Sequence, residues 1–232
     1  YGDLYIGKHP TPLHNKFLVI HLNFAVIDAE LGNYRSSLDS HCSIAFESFC
    51  RIYHSLLPEG TREKVMAEHG CVKQLEQLYI ICKEAGLKIY LFIDEYDHFT
   101  NNILSDAARL QEYKSETHGT GYLRTFFDTI KSGTYSSIER VFVTGVSPVT
   151  LDDLTSGFNI GTNYSLSYEF NEMVGFTEQE VRDMLTYYSS TAHFNHSIDE
   201  LIATMKPWYD NYCFAKQAYG KTTMYNSNMV LY

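Results

Sequence analysis

Proline and cysteine are scarce in this chain, at 5 each in 232 residues, glycine is limited to 14, and tryptophan occurs once. So little proline and glycine excludes collagen-like, low-complexity and disordered readings. The cysteines (Cys42, Cys50, Cys71, Cys82, Cys213) are odd in number and never spaced as CxxC. That excludes a disulfide framework and a zinc knot, and leaves them as reduced, small hydrophobic side chains. Positive charge is short as well: 18 Lys and Arg face 28 Asp and Glu, a formal net charge of -10. An acidic surface argues against broad binding to nucleic acid or anionic membranes, although it permits a local phosphate site. No run approaches the ~18 uncharged apolar residues of a membrane helix. The longest candidate, FLVIHLNFAVIDA, is interrupted by His21 and Asn23. The opening YGDLYIGKHP has neither a basic n-region nor an apolar h-region, so no signal peptide is visible and a cytoplasmic setting is expected. It also lacks an initiator Met and begins inside patterned sequence, which suggests a fragment.

What is present is the material of a folded core: 44% apolar residues, with 19 Tyr and 14 Phe. At ~150 residues per domain the length allows one large domain or one with a small appendage. KFLVIHLNF (Lys16 to Phe24) is short and rich in β-branched and aromatic residues, as a buried strand is. Ile44, Phe46, Phe49, Ile52, Tyr53 and Leu56 recur near helical spacing and predict an amphipathic helix. Thr61 to Ala85 reads as a helical run stopped by Gly86. KIYLFID (Lys88 to Asp94) is nearly continuous in bulky apolar residues, which predicts a parallel strand covered on both faces by helices. Helices near Ile103 to Glu112 and over Tyr122 to Ile130 flank the polar loop QEYKSETHGTG. RVFVTGV (Arg140 to Val146) is a further buried-strand pattern, after which a helix can begin at Ser147 and Pro148. This alternation predicts an α/β fold, a mostly parallel sheet with helices on both faces. Thr177 with Glu180 and Ser197 with Glu200 are capping boxes. They place a small helical subdomain over 175–232 behind an α/β core over 1–174. No repeat or flexible linker separates the two parts, so they are expected to pack as one body.

The segment richest in chemical content is YLFIDEYD, where bulky residues lead into Asp94 and Glu95 at a strand's C-terminal end. Open α/β sheets bind ligands at the carboxyl ends of their strands. Two adjacent carboxylates are costly to bury without a compensating positive charge. In P-loop ATPases that charge is the magnesium of Mg-ATP, and an hhhhDE pattern is how their Walker B strand reads. Asp94 would then hold the metal directly or through its water, and Glu95 would position and deprotonate the attacking water. The plainer reading is two solvated acids capping the next turn. In the additional-strand class of these ATPases, the strand beside Walker B ends in a polar residue that senses the γ-phosphate, and RVFVTG supplies Thr144 there. A lone Thr at a strand end is also a common turn residue; the order of the two elements is what joins them.

Taken together, FLVIHLNF, LFIDEYD with Asn101-Asn102, VFVTGVSPVTL with SGFNI, GFTEQEV, and WYDNYCF with MYNSNMVL run in order through most of the chain. This series resembles the predicted AAA-ATPase-like family of bacterial proteins, which are often fused to a PD-(D/E)XK nuclease-like domain. The resemblance implies a P-loop NTPase-like core with a C-terminal helical lid that binds ATP and Mg2+ in the full-length parent, with Asp94 on the metal, Glu95 as base and Thr144 as sensor. It also implies action on a protein partner or on the parent's own C-terminal domain, with no direct nucleic-acid or membrane contact by this segment, and it allows an oligomer. Two departures stand out. Asn211 replaces the Gly usual in WYDNY, a position Asn fills where the backbone is left-handed. The phosphate-binding GxxxxGK[ST] loop has no match before Lys16, as though the chain starts just after it. Gly220-Lys221-Thr222 is a decoy, because Ala215 stands where the first Gly belongs and no buried strand feeds it, so a hairpin turn is expected. By the same resemblance the strand that would pair beside the sensor strand is missing, which leaves an apolar edge open to association. On its own the chain is therefore expected to bind Mg-ATP poorly and to hydrolyse none. A nucleotide-independent interaction scaffold with vestigial carboxylates is the alternative, and no nuclease carboxylate-lysine set is present.

Other residues carry weaker signals. His193 and His196 are spaced for a shared metal but lack a third ligand at matching spacing, so a surface loop is the plainer reading. Arg124 and Arg140 are the arginines best placed to reach a phosphate, although most such arginines pair with surface acids. Tyr96 and Asp97 either orient Glu95 or close the turn after the strand. Trp208, Tyr209, Tyr212, Tyr219 and Tyr225 lack a basic surround and are expected to form the lid's packing core rather than a base-stacking platform.

Overall fold

Three of the apolar runs are strands: β1 (Leu18–Asn23), β2 (Ile89–Asp94) and β3 (Ile138–Val143). The computed structural model describes residues 2–28, 33–98, 101, 121–146, 160–191 and 195–231. Within it the chain divides into two compact units, Tyr1–Ile160 and Gly161–Tyr232.

In the first unit the strands pair in parallel in the order β1-β2-β3, which makes β2 central. Parallel strands need crossovers. After a short helix α1 (Tyr5–Lys8), helices α2 (Tyr34–Ile52), α3 (Thr61–Met66) and α4 (Cys71–Glu84) lie between β1 and β2, and α5 (Tyr122–Thr134) leads into β3. Alternate strand residues point to one face. Leu18, Ile20, Leu22, Ile89, Leu91, Ile93 and Ile138 are buried there with Leu38, Phe46, Leu75, Leu78, Phe126 and Ile130 of the helices. Full burial of each such side chain stabilises by about 1.5–3 kcal/mol.

Among the described residues the helices cover one side, and on the other Val19 and Phe142 are 42% and 41% exposed. On that side Tyr90 stacks on Phe92 at 4.2 Å, and Phe92 meets Phe142 at 6.0 Å, an aromatic ladder across the half-buried face. The helical run over 61–85 divides. Gly70 adopts φ +83, and a Cβ there would lie 3.0 Å from Tyr122 Oη and 3.4 Å from Asp39 Oδ1. Asp39 accepts from Cys71 N–H at 2.7 Å and from Tyr122 Oη, while Arg35 lies 4.2 Å over the Tyr122 ring. One carboxylate thus ties α2 to the start of α4 and the start of α5. Burial and the Asp39 hydrogen bond push the Tyr122 hydroxyl well above its ordinary value. The expected helix over 103–112, most of the polar loop and the start at Ser147 and Pro148 lie outside the described residues.

The second unit holds α6 (Glu178–Ser189), α7 (Ile198–Tyr209), the antiparallel pair β4 (Asp210–Tyr212) and β5 (Met224–Tyr225), and α8 (Ser227–Leu231). Both capping boxes form: Thr177 and Ser197 each accept the N3 amide, and Glu180 and Glu200 return the bond. Gly175, at φ +98, brings its backbone against Tyr225 O, where a Cβ would sit at 2.8 Å. Phe176 and Tyr225 exchange backbone hydrogen bonds of 3.0 and 2.7 Å beside it. Gly220 and Lys221 lie in the turn between β4 and β5, as expected of the decoy, and Asn211 lies in β4 at a register irregularity. The aromatic tail is only partly a core. Tyr225 is fully buried and Tyr209 packs beside it, whereas Trp208 and Tyr219 are 74% and 82% exposed.

Candidate functional site at the strand ends

The register places Asn23 opposite Asp94, and Ile93 opposite Val143, so the three strands end side by side. Asp94 is the last residue of β2 and Thr144 the first beyond β3. Their side chains meet: Thr144 Oγ1 donates to Asp94 Oδ1. The same oxygen accepts Glu95 N–H at 3.0 Å. Two residues fifty positions apart are thus brought together by pairing alone, since Thr144 N–H donates to Ile93 O at 2.9 Å and continues the ladder one step past the strand.

Glu95 leaves the strand with φ +55, in the left-handed region. For a residue with a Cβ this costs ~1–2 kcal/mol, and such strain persists where surrounding bonds fix it. Here Tyr96 N–H donates to Thr144 O at 3.1 Å and His98 N–H donates to Glu95 O at 3.0 Å. The turn reverses the chain so that Glu95 stays half-exposed while Tyr96 and Asp97 go inward, at 5% and 0% exposure. Asp97 accepts Val146 N–H on both carboxylate oxygens, 3.1 Å each, and Asn101 Nδ2 at 2.7 Å. Gly145 has no space for a side chain, because a Cβ would overlap Asp97 Oδ1 and the Tyr96 ring. Asp97 therefore does more than close a turn, a role its sequence position left open. Gly145 directly after Thr144 was the available signal.

Asp94 is half-exposed and Thr144 exposed, so both are open to a ligand. A carboxylate and a hydroxyl are hard oxygen donors. They suit Mg2+, which uses one or two protein carboxylates and keeps several waters. No cluster of three or more His, Cys, Asp or Glu suited to a metal occurs among the described residues, so a closed all-protein metal cage is absent from that set.

The other candidates are not gathered here. Arg140 lies towards the start of β3, opposite Tyr90. Arg124 sits on α5 and pairs with Asp128 at 3.9 Å, a half-exposed i,i+4 pair. His196 pairs with Glu200 at 3.8 Å, and His193 lies outside the described residues. Asn23, which sequence reasoning passed over, completes the row of strand ends. Its side chain accepts Ala25 N–H at 2.9 Å, and its own N–H donates to His41 Nε2 at 3.3 Å. Burial, reinforced by nearby His21, lowers the His41 pKa and keeps that nitrogen an acceptor.

A family model described as AAA-ATPase-like, a predicted AAA-ATPase, matches residues 1–155. Asp94, Glu95 and Thr144 lie inside that stretch, and the second unit lies beyond it. No curated protein and no solved structure matches the chain.

Proposed function

The chain belongs to the AAA-ATPase-like family, and from that membership we propose that its parent protein binds and hydrolyses Mg-ATP to drive a conformational or regulatory step. The observation that carries this reading is the meeting of Asp94 and Thr144 at adjacent parallel strand ends, with Glu95 beside them. Asp94, with its hard carboxylate at the open end of β2, is the metal-holding residue. Magnesium there would supply charge neutralisation for the phosphates. Glu95 positions and deprotonates the attacking water. Thr144 reads the terminal phosphate, and its hydroxyl is free to turn from Asp94 towards a ligand. The 232 residues contain no GxxxxGK[ST], so they contribute the metal-holding, basic and sensing groups and not the phosphate loop. Alone they bind Mg-ATP weakly and do not turn it over. The step driven acts on a protein partner or the parent's own further domain, in a cytoplasmic setting.

The test compares the full-length parent with its Glu95→Gln variant. Removing a general base lowers kcat by about 10²–10⁴-fold, with ATP affinity kept. Equal turnover by both removes Glu95 from catalysis. Turnover by neither favours a second reading, a nucleotide-independent scaffold, for which the existing Thr144–Asp94 bond is the supporting observation: it satisfies the acid without a metal. Micromolar ATP affinity measured calorimetrically on residues 1–232 would contradict the weak-binding part.

A further inference from the structure

Asp97 stands out among the described acids of the first unit because it is entirely buried and accepts hydrogen bonds from two directions. A buried carboxylate is costly unless N–H groups satisfy it. A turn-closing acid would take its bonds from the next few residues. Asp97 does take one such bond, from Asn101 Nδ2 at 2.7 Å, but both of its oxygens also reach Val146 N–H, forty-nine positions on, at 3.1 Å. We propose that Asp97 is a positioning residue: its carboxylate locks the turn after β2 to the segment leaving β3, and the relative placement of Asp94, Glu95 and Thr144 depends on it.

Bonds among the described residues lace these two segments together. Thr144 N–H donates to Ile93 O, Thr144 Oγ1 to Asp94 Oδ1, Tyr96 N–H to Thr144 O, and Val146 N–H to Asp97. Asp97 closes the far end of this row. Without it, Val146 loses the hydrogen bond that ties it to the turn after β2. Left-handed Glu95 sits between the anchored Asp94 and the anchored Tyr96, so its backbone is set by the links on either side. Gly145 belongs to the same device, since any side chain there would push Asp97 and Tyr96 away from Val146. The Val146 and Asn101 donors are both N–H groups, which a carboxylate accepts on either oxygen. An Asn at this position would turn its own NH2 towards Val146 N–H or Asn101 Nδ2.

The structural part of this proposal is independent of ATP hydrolysis; its consequence for turnover rests on the function proposed above. Amide exchange and backbone chemical shifts on the 232-residue chain test the first part in Asp97→Asn, which keeps the shape, Asp97→Ala and Gly145→Ala. Loss of a hydrogen bond to a charged group should speed exchange at Val146 and Tyr96 by at least about tenfold. Glu95 shifts should leave the left-handed range, while Leu22 and Leu91 keep wild-type protection, which shows that the sheet is intact. Should Asp97→Ala not fold, Asp97→Asn carries the test. In the full-length parent, Asp97→Asn should lower kcat by about tenfold or more, counted per folded molecule with the folded fraction measured alongside, while KM for ATP stays unchanged; a loss that vanishes once the folded fraction is counted would be a general loss of folded protein. Wild-type protection at Val146 and Tyr96 with unchanged Glu95 shifts in Asp97→Asn overturns the proposal. So does altered protection spread equally to Leu22 and Leu91. A parent that hydrolyses no ATP defeats the functional reading and leaves the exchange result to decide the clamp.

Discussion

The two units of the chain are stabilised by different means. The first buries one face of a three-stranded sheet against α2, α4 and α5, in a continuous apolar cluster running from Leu18 to Ile138. The second has three fully buried apolar residues in its cluster, Val181, Ile202 and Tyr225. It relies on local devices: two capping boxes, and the ion pairs Lys206–Glu178 at 2.7 Å, Arg182–Glu178 at 3.0 Å and Arg182–Asp199 at 2.7 Å. Half-exposed pairs of that kind contribute about 0–1 kcal/mol each. Asp210 Oδ1 and Tyr225 Oη are buried with no hydrogen-bond partner among the described residues, so polar satisfaction is also poorer there. The strained turn at Glu95 lies in the unit with the larger core, which can hold it.

The comparison breaks first in the cores. Leu91→Ala, at the centre of the sheet, should cost about 3–5 kcal/mol, and Ile202→Ala nearer 2 kcal/mol because a small cluster collapses more readily around the gap. Residue-resolved amide exchange reads each unit separately. Equal losses would mean that the second unit has a core as well packed as the first. Next in size come the caps. Ser197→Ala and Thr177→Ala should each cost about 1 kcal/mol and confine the loss to their own helix. No loss at either helix would show that its stability comes from packing instead.

Local signals were the ones legible in the sequence. The capping boxes at Thr177 and Ser197, the stop at Gly86 and the three strands all follow from patterns that span a few residues. The meeting of Asp94 with Thr144 was legible in a weaker sense, because parallel order places successive strand ends together. What escaped depended on contacts between distant segments. Gly70 divides a run that is helical by composition because Asp39 and Tyr122 crowd it, and neither is near it in sequence. The stacking of Tyr90 on Phe92 escaped as well, because aromatic residues that stack on one another look, in a single strand, like residues buried under helices. The role of Asp97 stayed open between orienting Glu95 and closing the turn because its distant donor, the amide of Val146, has no side-chain signature at all.

Acid sharpens the contrast between the units in the smallest but most selective way. Burial and the proximity of His21 lower the His41 pKa from its ordinary 6.5, so the folded first unit favours the neutral ring. Above that value both folded and unfolded chains carry neutral His41 and its contribution is whole. As pH falls through it, the unfolded chain takes up the proton first, and the first unit loses stability until folded His41 protonates too. In the second unit the shifted carboxylates are Glu178, held low by Lys206 and Arg182, and Glu200, held low by the Ser197 amide and hydroxyl. Their contributions persist until pH falls below the ordinary 4.5. Between these two values protection from amide exchange, taken relative to the unstructured rate at the same pH, should therefore fall at Leu22 and Leu91 and stay constant at Ile202. His41→Gln should flatten the dependence in the first unit, since a neutral amide in place of the ring has no proton to gain. A slope that survives this substitution would detach the effect from His41 and from the bond that holds Asn23 at the end of β1.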